Sequence, residues 1–210
     1  MLISYSRKAD LCSEFYFMGL RNGQNDARYD IFLPEVKYCM DIIKEAGMIV
    51  GIHGGYDSYD NEDIFKHEKE NIESVCGKVV HSGRQHYLRF GINKSLHVWE
   101  KCGISNDSTL GYPEREGFRC GTCHEYLLYD LKNDRISTVR EHPPIVMDKT
   151  LFEFSTLNKE TALAKIRKLY TRCQAVEGDF VILWHNAMVF RDYELRFREV
   201  YCTFIESIYR

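Results

Sequence analysis

Residues 48–57 read MIVGIHGGYD, and this stretch decides the fold of the chain. It begins with apolar and small residues, as a buried strand would, and the polar side chain of His53 closes the run. Two later stretches have a similar form, since residues 83–87 read GRQHY and residues 182–186 read ILWHN. Because successive strand ends of an α/β fold converge on one rim, where chemistry usually takes place, we predict a functional site at this rim.

Helical patterns alternate with the strands in the first half of the chain. Each of three predicted helices carries an apolar face, and each ends at a glycine, namely Gly47, Gly77 or Gly103. The intervening strands are predicted at residues 14–20, 48–52, 78–80 and 104–110. Strand and helix recur at spacings of roughly 30 residues, which is typical of βαβ units. The pattern therefore predicts an α/β fold with a parallel sheet or barrel.

The second half of the chain begins with a different pattern of predicted elements. Residues 126–139 have the pattern of an antiparallel hairpin, with a turn at residues 132–134. A long amphipathic helix is predicted from Asn158 or Thr161 to about Val176. A last strand at 180–184 and a closing helix at 193–209 complete the order. Because no linker or low-complexity tract interrupts it, we predict a single domain over residues 1–210.

The composition limits the classes of function. The chain has 28 basic and 31 acidic side chains, and because the two kinds are interspersed, a nucleic-acid partner is not expected. No run of about 18 apolar residues predicts a membrane span, and residues 1–8 do not resemble a signal peptide, so the expected location is cytoplasmic. The eight cysteines are scattered and are expected to be free thiols.

The order of these motifs resembles the polysaccharide deacetylase family, the carbohydrate esterases with NodB homology. The likeness extends from about Phe15 to Asn186 and implies a distorted (β/α) barrel. In that family a strand ends in a metal-binding histidine, and a second metal-binding histidine follows four residues later. His53 matches the first of these, while the second position is Asp57, whose carboxylate can also bind zinc.

The resemblance implies roles for four further residues. The stretch from Arg84 to Tyr87 resembles the family's arginine motif, with His86 in place of the usual proline and therefore as an extra metal ligand. Asp107 falls near the motif whose aspartate tunes the catalytic histidine, and His185 matches the histidine that protonates the leaving amine. The resemblance thus implies a divalent metal, zinc, at His53, Asp57 and His86, with Arg84, Asp107 and His185 as catalytic residues.

One motif of the family is missing. The family's first motif is an Asp-Asp pair that supplies the general base and a metal ligand, and nothing before Phe15 resembles it. Either the chain begins after the first barrel strand, which leaves an incomplete barrel with exposed edges that favour a homo-oligomer, or it lacks the base. The predicted function is metal-dependent removal of N- or O-acetyl groups from a carbohydrate. The alternative is a non-catalytic domain that binds a glycan or a protein partner.

Each of these site residues also has a purely structural interpretation. His53 could be a core histidine bonded to backbone, Asp57 could cap the next turn, and Asp107 could form an Asx turn. Arg84 and His86 could join loops.

The stretch 120–124 reads CGTCH, which matches the attachment signature of c-type haem. The chain shows no export signal, which haem attachment requires, and no second C-x-x-C pair, which a zinc site requires. Packing is therefore favoured over haem, zinc or redox chemistry for Cys120 and Cys123.

Overall fold

The computed structural model describes residues 1–21, 23–189 and 195–209. It divides into two compact units. One, the sheet unit, comprises Cys12–Thr109 and Tyr126–His142. The other, the helical unit, comprises Met1–Leu11, Leu110–Glu125 and Pro143–Arg210. The single domain expected from the sequence stays a prediction.

The chain contains eight strands and seven α-helices within the described ranges. The strands are β1 (Glu14–Phe17), β2 (Ile49–Gly54), β3 (Ser82–Gln85), β4 (Asn106–Asp107), β5 (Tyr126–Asp130), β6 (Arg135–Glu141), β7 (Val146–Met147) and β8 (Ile182–Leu183). The helices are α1 (Leu2–Lys8), α2 (Pro34–Glu45), α3 (Glu62–Cys76), α4 (Ser95–Lys101), α5 (Lys159–Gln174), α6 (Asn186–Val189) and α7 (Leu195–Ile208). A 3₁₀ turn spans His86–Leu88, and a π-helical turn spans Thr150–Phe154.

The sheet unit is built on six strands in the order β1-β2-β3-β4-β6-β5. All neighbours are parallel except β5 and β6, which form the predicted antiparallel hairpin. The sheet is open, because β1 and β5 stand at its two ends and do not pair with each other in the described chain. The expected α/β architecture with an incomplete barrel sheet is therefore confirmed.

Local sequence explains where the helices of the sheet unit begin and end. Pro34 occupies the first turn of α2, where its missing N–H costs nothing. The side chain of Asn61 accepts a hydrogen bond from the Ile64 N–H and caps α3. Gly77 ends α3 with a φ of 71°, a left-handed conformation that glycine adopts without steric cost.

The helical unit packs α5 against α7 and carries the short parallel pair β7–β8. Its core is apolar, with Leu151, Ile166 and Phe197 fully buried. Helix α1 also packs on α7, where the Tyr5 hydroxyl donates to Glu206 at 2.8 Å. The closing helix was predicted from Tyr193, which lies outside the described residues, and α7 is observed from Leu195.

One predicted strand is wrong. Residues 78–80 form a connection after α3, and β3 begins only at Ser82. The Val80 N–H donates to a Glu73 carboxylate oxygen at 2.8 Å, so this segment is tied to the helix and not to a sheet partner. Apolar Val79 and Val80 thus gave a strand signal in a segment that is bonded to α3.

No helix in the described ranges has the length and apolar character needed to cross a membrane.

Candidate functional site

Two imidazoles meet in the sheet unit. His53 lies near the end of β2, and His86 follows the end of β3 directly. Since β2 and β3 are parallel neighbours with His53 opposite Arg84, their ends are adjacent. The two ring centroids are 4.9 Å apart, and the ring planes are inclined by 67°. The structure therefore brings together two of the three predicted metal ligands.

Hydrogen bonds fix the orientation of both rings. Nδ1 of His53 lies 2.8 Å from the carbonyl oxygen of Arg84, which can only accept, so this nitrogen carries the proton. Nδ1 of His86 lies 3.3 Å from Oδ1 of Asp26. Metal-binding histidines usually donate one ring N–H to a carbonyl or carboxylate in this way, which places the lone pair on the other ring nitrogen. Both rings thus make the hydrogen bonds that are typical of metal-binding histidines.

Asp26 is the functional candidate that sequence reasoning missed. It lies in the loop after β1, is buried, and also accepts a hydrogen bond from the Tyr56 N–H at 2.8 Å. The first-motif carboxylate was expected before Phe15, whereas Asp26 follows the first strand of the sheet. A useful signal would have been a lone aspartate in the loop that follows a strand, read together with the imidazoles after the next two strands.

Glu68 of α3 binds the backbone that follows β2. It is buried, and both of its carboxylate oxygens accept from the Gly55 N–H, at 3.2 and 3.0 Å. A Cβ on Gly55 would lie 2.4 Å from Glu68 Oε1, so a larger residue there would have to displace the Glu68 carboxylate. Burial raises the pKa of Glu68 to about 7, and the nearby charge of Asp26 adds to the shift.

Asp57 follows the end of β2 and is largely exposed. Its side chain is 65% exposed, and its carboxylate Oδ1 lies 3.8 Å from Nη1 of Arg89. Its role as a metal ligand stays a prediction.

Arg84, on β3, binds the backbone and side chain of the residue that follows β4. Its Nε donates to the carbonyl oxygen of Ser108 at 2.6 Å, and its Nη2 donates to the Ser108 hydroxyl at 2.7 Å. The guanidinium also lies 5.0 Å from the ring centroid of Tyr16. These contacts support a positioning role, and the catalytic role implied by the resemblance stays a prediction.

Asp107 belongs to a buried pair of acidic residues. It stands opposite Glu141 in the β4–β6 register, and both side chains are buried. Oδ1 of Asp107 accepts from the Thr109 hydroxyl. Burial raises the pKa of Asp107 to about 6, although hydrogen bonds from Thr109 and Glu141 and the charge of Arg84 oppose the shift.

A second histidine site lies in the helical unit. Asp148 follows β7 and His185 comes two residues after β8, so the parallel pairing of these strands brings them together. Nδ1 of His185 is 2.6 Å from Oδ1 of Asp148, and the His185 backbone N–H donates to Oδ2 at 2.8 Å. Asp148 is fully buried, while the ring of His185 is partly exposed. The carboxylate that orients this imidazole is therefore Asp148, which the sequence analysis gave no role.

Comparison with known proteins decides the fold. The chain is similar to a "putative polysaccharide deacetylase" from Mycobacterium smegmatis, with a TM-score of 0.67 and 16% identity over 97% of this chain and 69% of that chain. The chain has the fold of the polysaccharide deacetylases. A mutant of a CE4 family pseudoenzyme with restored enzymatic activity is also similar, with a TM-score of 0.49 and 10% identity over 96% of this chain and 57% of that one. No family model matches the chain, and no curated protein sequence matches it significantly.

The resemblance to the deacetylase family implies a bound divalent metal, and the described residues can be tested for side chains that would hold it. Across residues 1–21, 23–189 and 195–209, no three His, Cys, Asp or Glu side chains are grouped so that they could hold a metal ion. The donors at the imidazole pair nevertheless fit a divalent ion in kind, because imidazole nitrogens and a carboxylate are zinc ligands. The Nδ1 contacts of His53 and His86 fix the orientation of both rings. The metal stays a prediction.

Proposed function

We propose that this chain is a metal-dependent hydrolase that removes N- or O-acetyl groups from a carbohydrate. The observation that carries the proposal is the ring contact of His53 and His86, each with Nδ1 bound to a protein acceptor, at adjacent strand ends. The polysaccharide deacetylase fold supports the same activity by analogy.

His53 and His86 would hold the metal through Nε2, with Asp26 beside them. A bound zinc would polarise the acetyl carbonyl and lower the pKa of a water molecule to about 7. Asp26 accepts from the Tyr56 N–H and contacts His86, so its carboxylate keeps the His86 ring oriented. It also compensates part of the charge that a divalent ion would bring into a buried site.

His185 is proposed as the acid that protonates the departing nitrogen or oxygen. With Nδ1–H bound to Asp148, the ring would deliver its proton from Nε2. Asp148 is therefore a positioning residue in this scheme. Arg84 and Asp107 are also proposed to act in catalysis, as the resemblance to the family's motifs implies.

The test is to identify both products from acetylated oligosaccharides. We expect acetate together with a free amine from N-acetylated substrates, or a free hydroxyl from O-acetylated ones, and we expect loss of both after chelation. The His185→Ala variant should lose the activity, while His67→Ala, which changes an exposed histidine of α3, should retain it. Absence of product from every substrate tested with zinc present would refute the proposal.

The second candidate is a domain that binds glycan without hydrolysing it. It is favoured by one specific observation, namely that the described residues include no group of three metal-binding side chains. This candidate predicts saturable glycan binding that is unchanged by a chelator, with no acetate released.

A further inference from the structure

Two cysteines from distant parts of the chain meet in the core of the helical unit. Cys123 lies in the segment before β5, and Cys173 lies in the last turn of α5. Both are buried in one apolar cluster, with relative exposures of 5% and 0%. The two thiols share a hydrogen bond, and both are free in the structure. The sequence pattern pairs Cys123 with Cys120 and gives Cys173 no partner.

The backbone after α5 holds the two cysteines beside each other. The Gly178 N–H donates to the Cys173 carbonyl oxygen at 2.9 Å, and the next amide, that of Asp179, donates to the Cys123 carbonyl oxygen at 3.0 Å. A Cβ on Gly178 would lie 2.3 Å from the Cys123 sulfur, so a larger residue there would have to displace this thiol. One short segment thus fixes both cysteine backbones and closely approaches the Cys123 sulfur.

Cys120, the other cysteine of the C-x-x-C pair, makes a different contact. Its thiol donates to the Leu110 carbonyl oxygen at 3.3 Å. The residue after it, Gly121, has a φ of 71°, and its N–H donates to the Phe118 carbonyl oxygen at 3.1 Å, so the chain turns between the two cysteines. The cysteine that shares a hydrogen bond with Cys123 is therefore Cys173.

We propose that Cys123 and Cys173 form a disulfide when the chain folds in the presence of a low-molecular-weight disulfide such as oxidised glutathione. In the first step, one cysteine thiolate attacks a sulfur of oxidised glutathione, forms a mixed disulfide and releases one glutathione thiolate. The second cysteine then attacks the protein sulfur of the mixed disulfide and releases the second glutathione. The protein loses two protons and two electrons, and oxidised glutathione takes them up as two thiols.

Burial determines when this reaction can take place. Burial and the hydrogen bond to Cys123 raise the pKa of the Cys173 thiol to about 12, so almost none of it is thiolate in the folded protein at pH 8. Neither sulfur is accessible to an oxidant from solution. The pair therefore reacts in the unfolded or partly folded chain, and it stays reduced in a reducing compartment.

The disulfide would stabilise the helical unit. It would join positions 123 and 173, and by closing a loop of about 50 residues it would restrict the unfolded chain. A disulfide carries no charge and no strong hydrogen-bonding group, so an apolar core can hold it without a polar partner. The oxidised protein should therefore unfold at a higher urea concentration than the reduced protein.

The test compares protein refolded from urea in a mixture of reduced and oxidised glutathione with protein refolded in dithiothreitol. Free thiols are blocked with iodoacetamide before digestion with trypsin. We expect residues 120–132 to be linked to residues 173–191 in the first sample alone, with Cys120 blocked. We also expect a higher urea midpoint for that sample.

Alanine variants assign the link to its two cysteines. Cys120→Ala should give the same link and the same shift of the urea midpoint, whereas Cys123→Ala and Cys173→Ala should each remove both. Folded, reduced wild type given the same glutathione mixture should form the link at least about tenfold more slowly than the refolding protein.

Three results would overturn the proposal, and each can be read from the wild type alone. The first is protein refolded with glutathione in which Cys123 and Cys173 stay free, or in which Cys123 is linked to Cys120. The second is a linked protein whose urea midpoint is no higher than that of the reduced protein. The third is equal rates of oxidation for the folded and the refolding protein. None of these measurements depends on the proposed hydrolysis.

Discussion

His185 binds both oxygens of the Asp148 carboxylate, through Nδ1 at 2.6 Å and through its backbone N–H at 2.8 Å. The second bond fixes the carboxylate relative to the chain, and the first fixes the imidazole relative to the carboxylate. A fully buried carboxylate in this arrangement selects one tautomer of the ring. The hydrogen bond to Asp148 therefore occupies Nδ1, and Nε2 is the nitrogen proposed above to transfer the proton.

Asp148→Asn should lower kcat for acetate release by roughly 10²- to 10⁴-fold, because the ring would lose the partner that fixes its tautomer and orientation. The measurement is the steady-state rate of acetate release at saturating substrate.

A matched control exists in the sheet unit. His97 and Asp130 form another histidine–aspartate pair, with 2.9 Å between Nε2 and Oδ2. Asp130→Asn should leave kcat per folded molecule unchanged. Equal losses of kcat in Asp130→Asn and Asp148→Asn would count against a role for Asp148 in proton transfer.

The two carboxylates near the imidazole pair can be separated by their effects on zinc affinity. Asp26→Ala should weaken zinc binding by roughly 10- to 100-fold, because His86 would lose the acceptor that orients it. Asp57→Ala should have little effect, since its recorded partner is Arg89. Competition with a chromogenic chelator measures both affinities. If Asp57→Ala weakened zinc binding more than Asp26→Ala did, Asp57 would be the metal ligand that the resemblance implies.

Glu68 should make the free energy of unfolding depend on pH. Its pKa is raised from 4.5 to about 7 by burial, so the fold favours the protonated carboxyl. The corresponding stabilisation is complete below the unfolded-state pKa and is lost as the pH rises through about 7. We expect a decrease on the order of 3 kcal/mol between pH 4 and pH 8, measured by urea denaturation. Asp107, with a pKa of about 6, adds a decrease of the same sign.

The Glu68→Gln variant isolates this contribution. Glutamine does not titrate, so the decrease in stability across this pH range should become smaller than in the wild type. The variant should be less stable at low pH, because the amide group cannot accept from Gly55 with both of its terminal atoms. If the free energy of unfolding of Glu68→Gln fell with pH as steeply as that of the wild type, Glu68 would not be the source of the pH dependence.

The cysteines should differ widely in reactivity. Cys173 is fully buried, and burial together with a hydrogen bond to Cys123 raises the pKa of its thiol to about 12. Because the thiolate is the reactive form, alkylation of Cys173 by iodoacetamide at pH 8 should be slow. The exposed Cys12 and Cys39 should react first, as timed peptide mass spectrometry would show. If Cys173 were modified as fast as Cys12, the core of the helical unit would have to open readily.

The fold was predictable where local signals are strong. Pro34 and Gly77 mark helix ends in the sequence and in the structure alike. The closeness of His53 and His86 was expected because parallel neighbours align their ends, although the strand before His86 lies at Ser82–Gln85 and not at the predicted residues 78–80. Lys78–Val80 was wrongly predicted as a strand, because apolar residues next to a helix end have no sequence feature that distinguishes a strand from a connection.

The contacts that complete each histidine site depend on tertiary structure. Asp26 lies in a loop without periodicity, and its partner His86 is 60 positions away in the chain. The pairing of Asp148 with His185 depends on the register of two strands of two residues each. Such short strands give almost no periodic signal, so neither contact could be predicted from the pattern alone.

The proposed hydrolysis depends most on a metal ion bound by His53 and His86. The direct measurement is the rate of acetate release from an N-acetylated oligosaccharide as zinc is added to metal-free protein. We predict that the wild-type rate rises and saturates near about one zinc per chain, and that neither His53→Ala nor His86→Ala shows this rise. A wild-type rate that is independent of zinc, or a His53→Ala variant as active as the wild type, would contradict the claim.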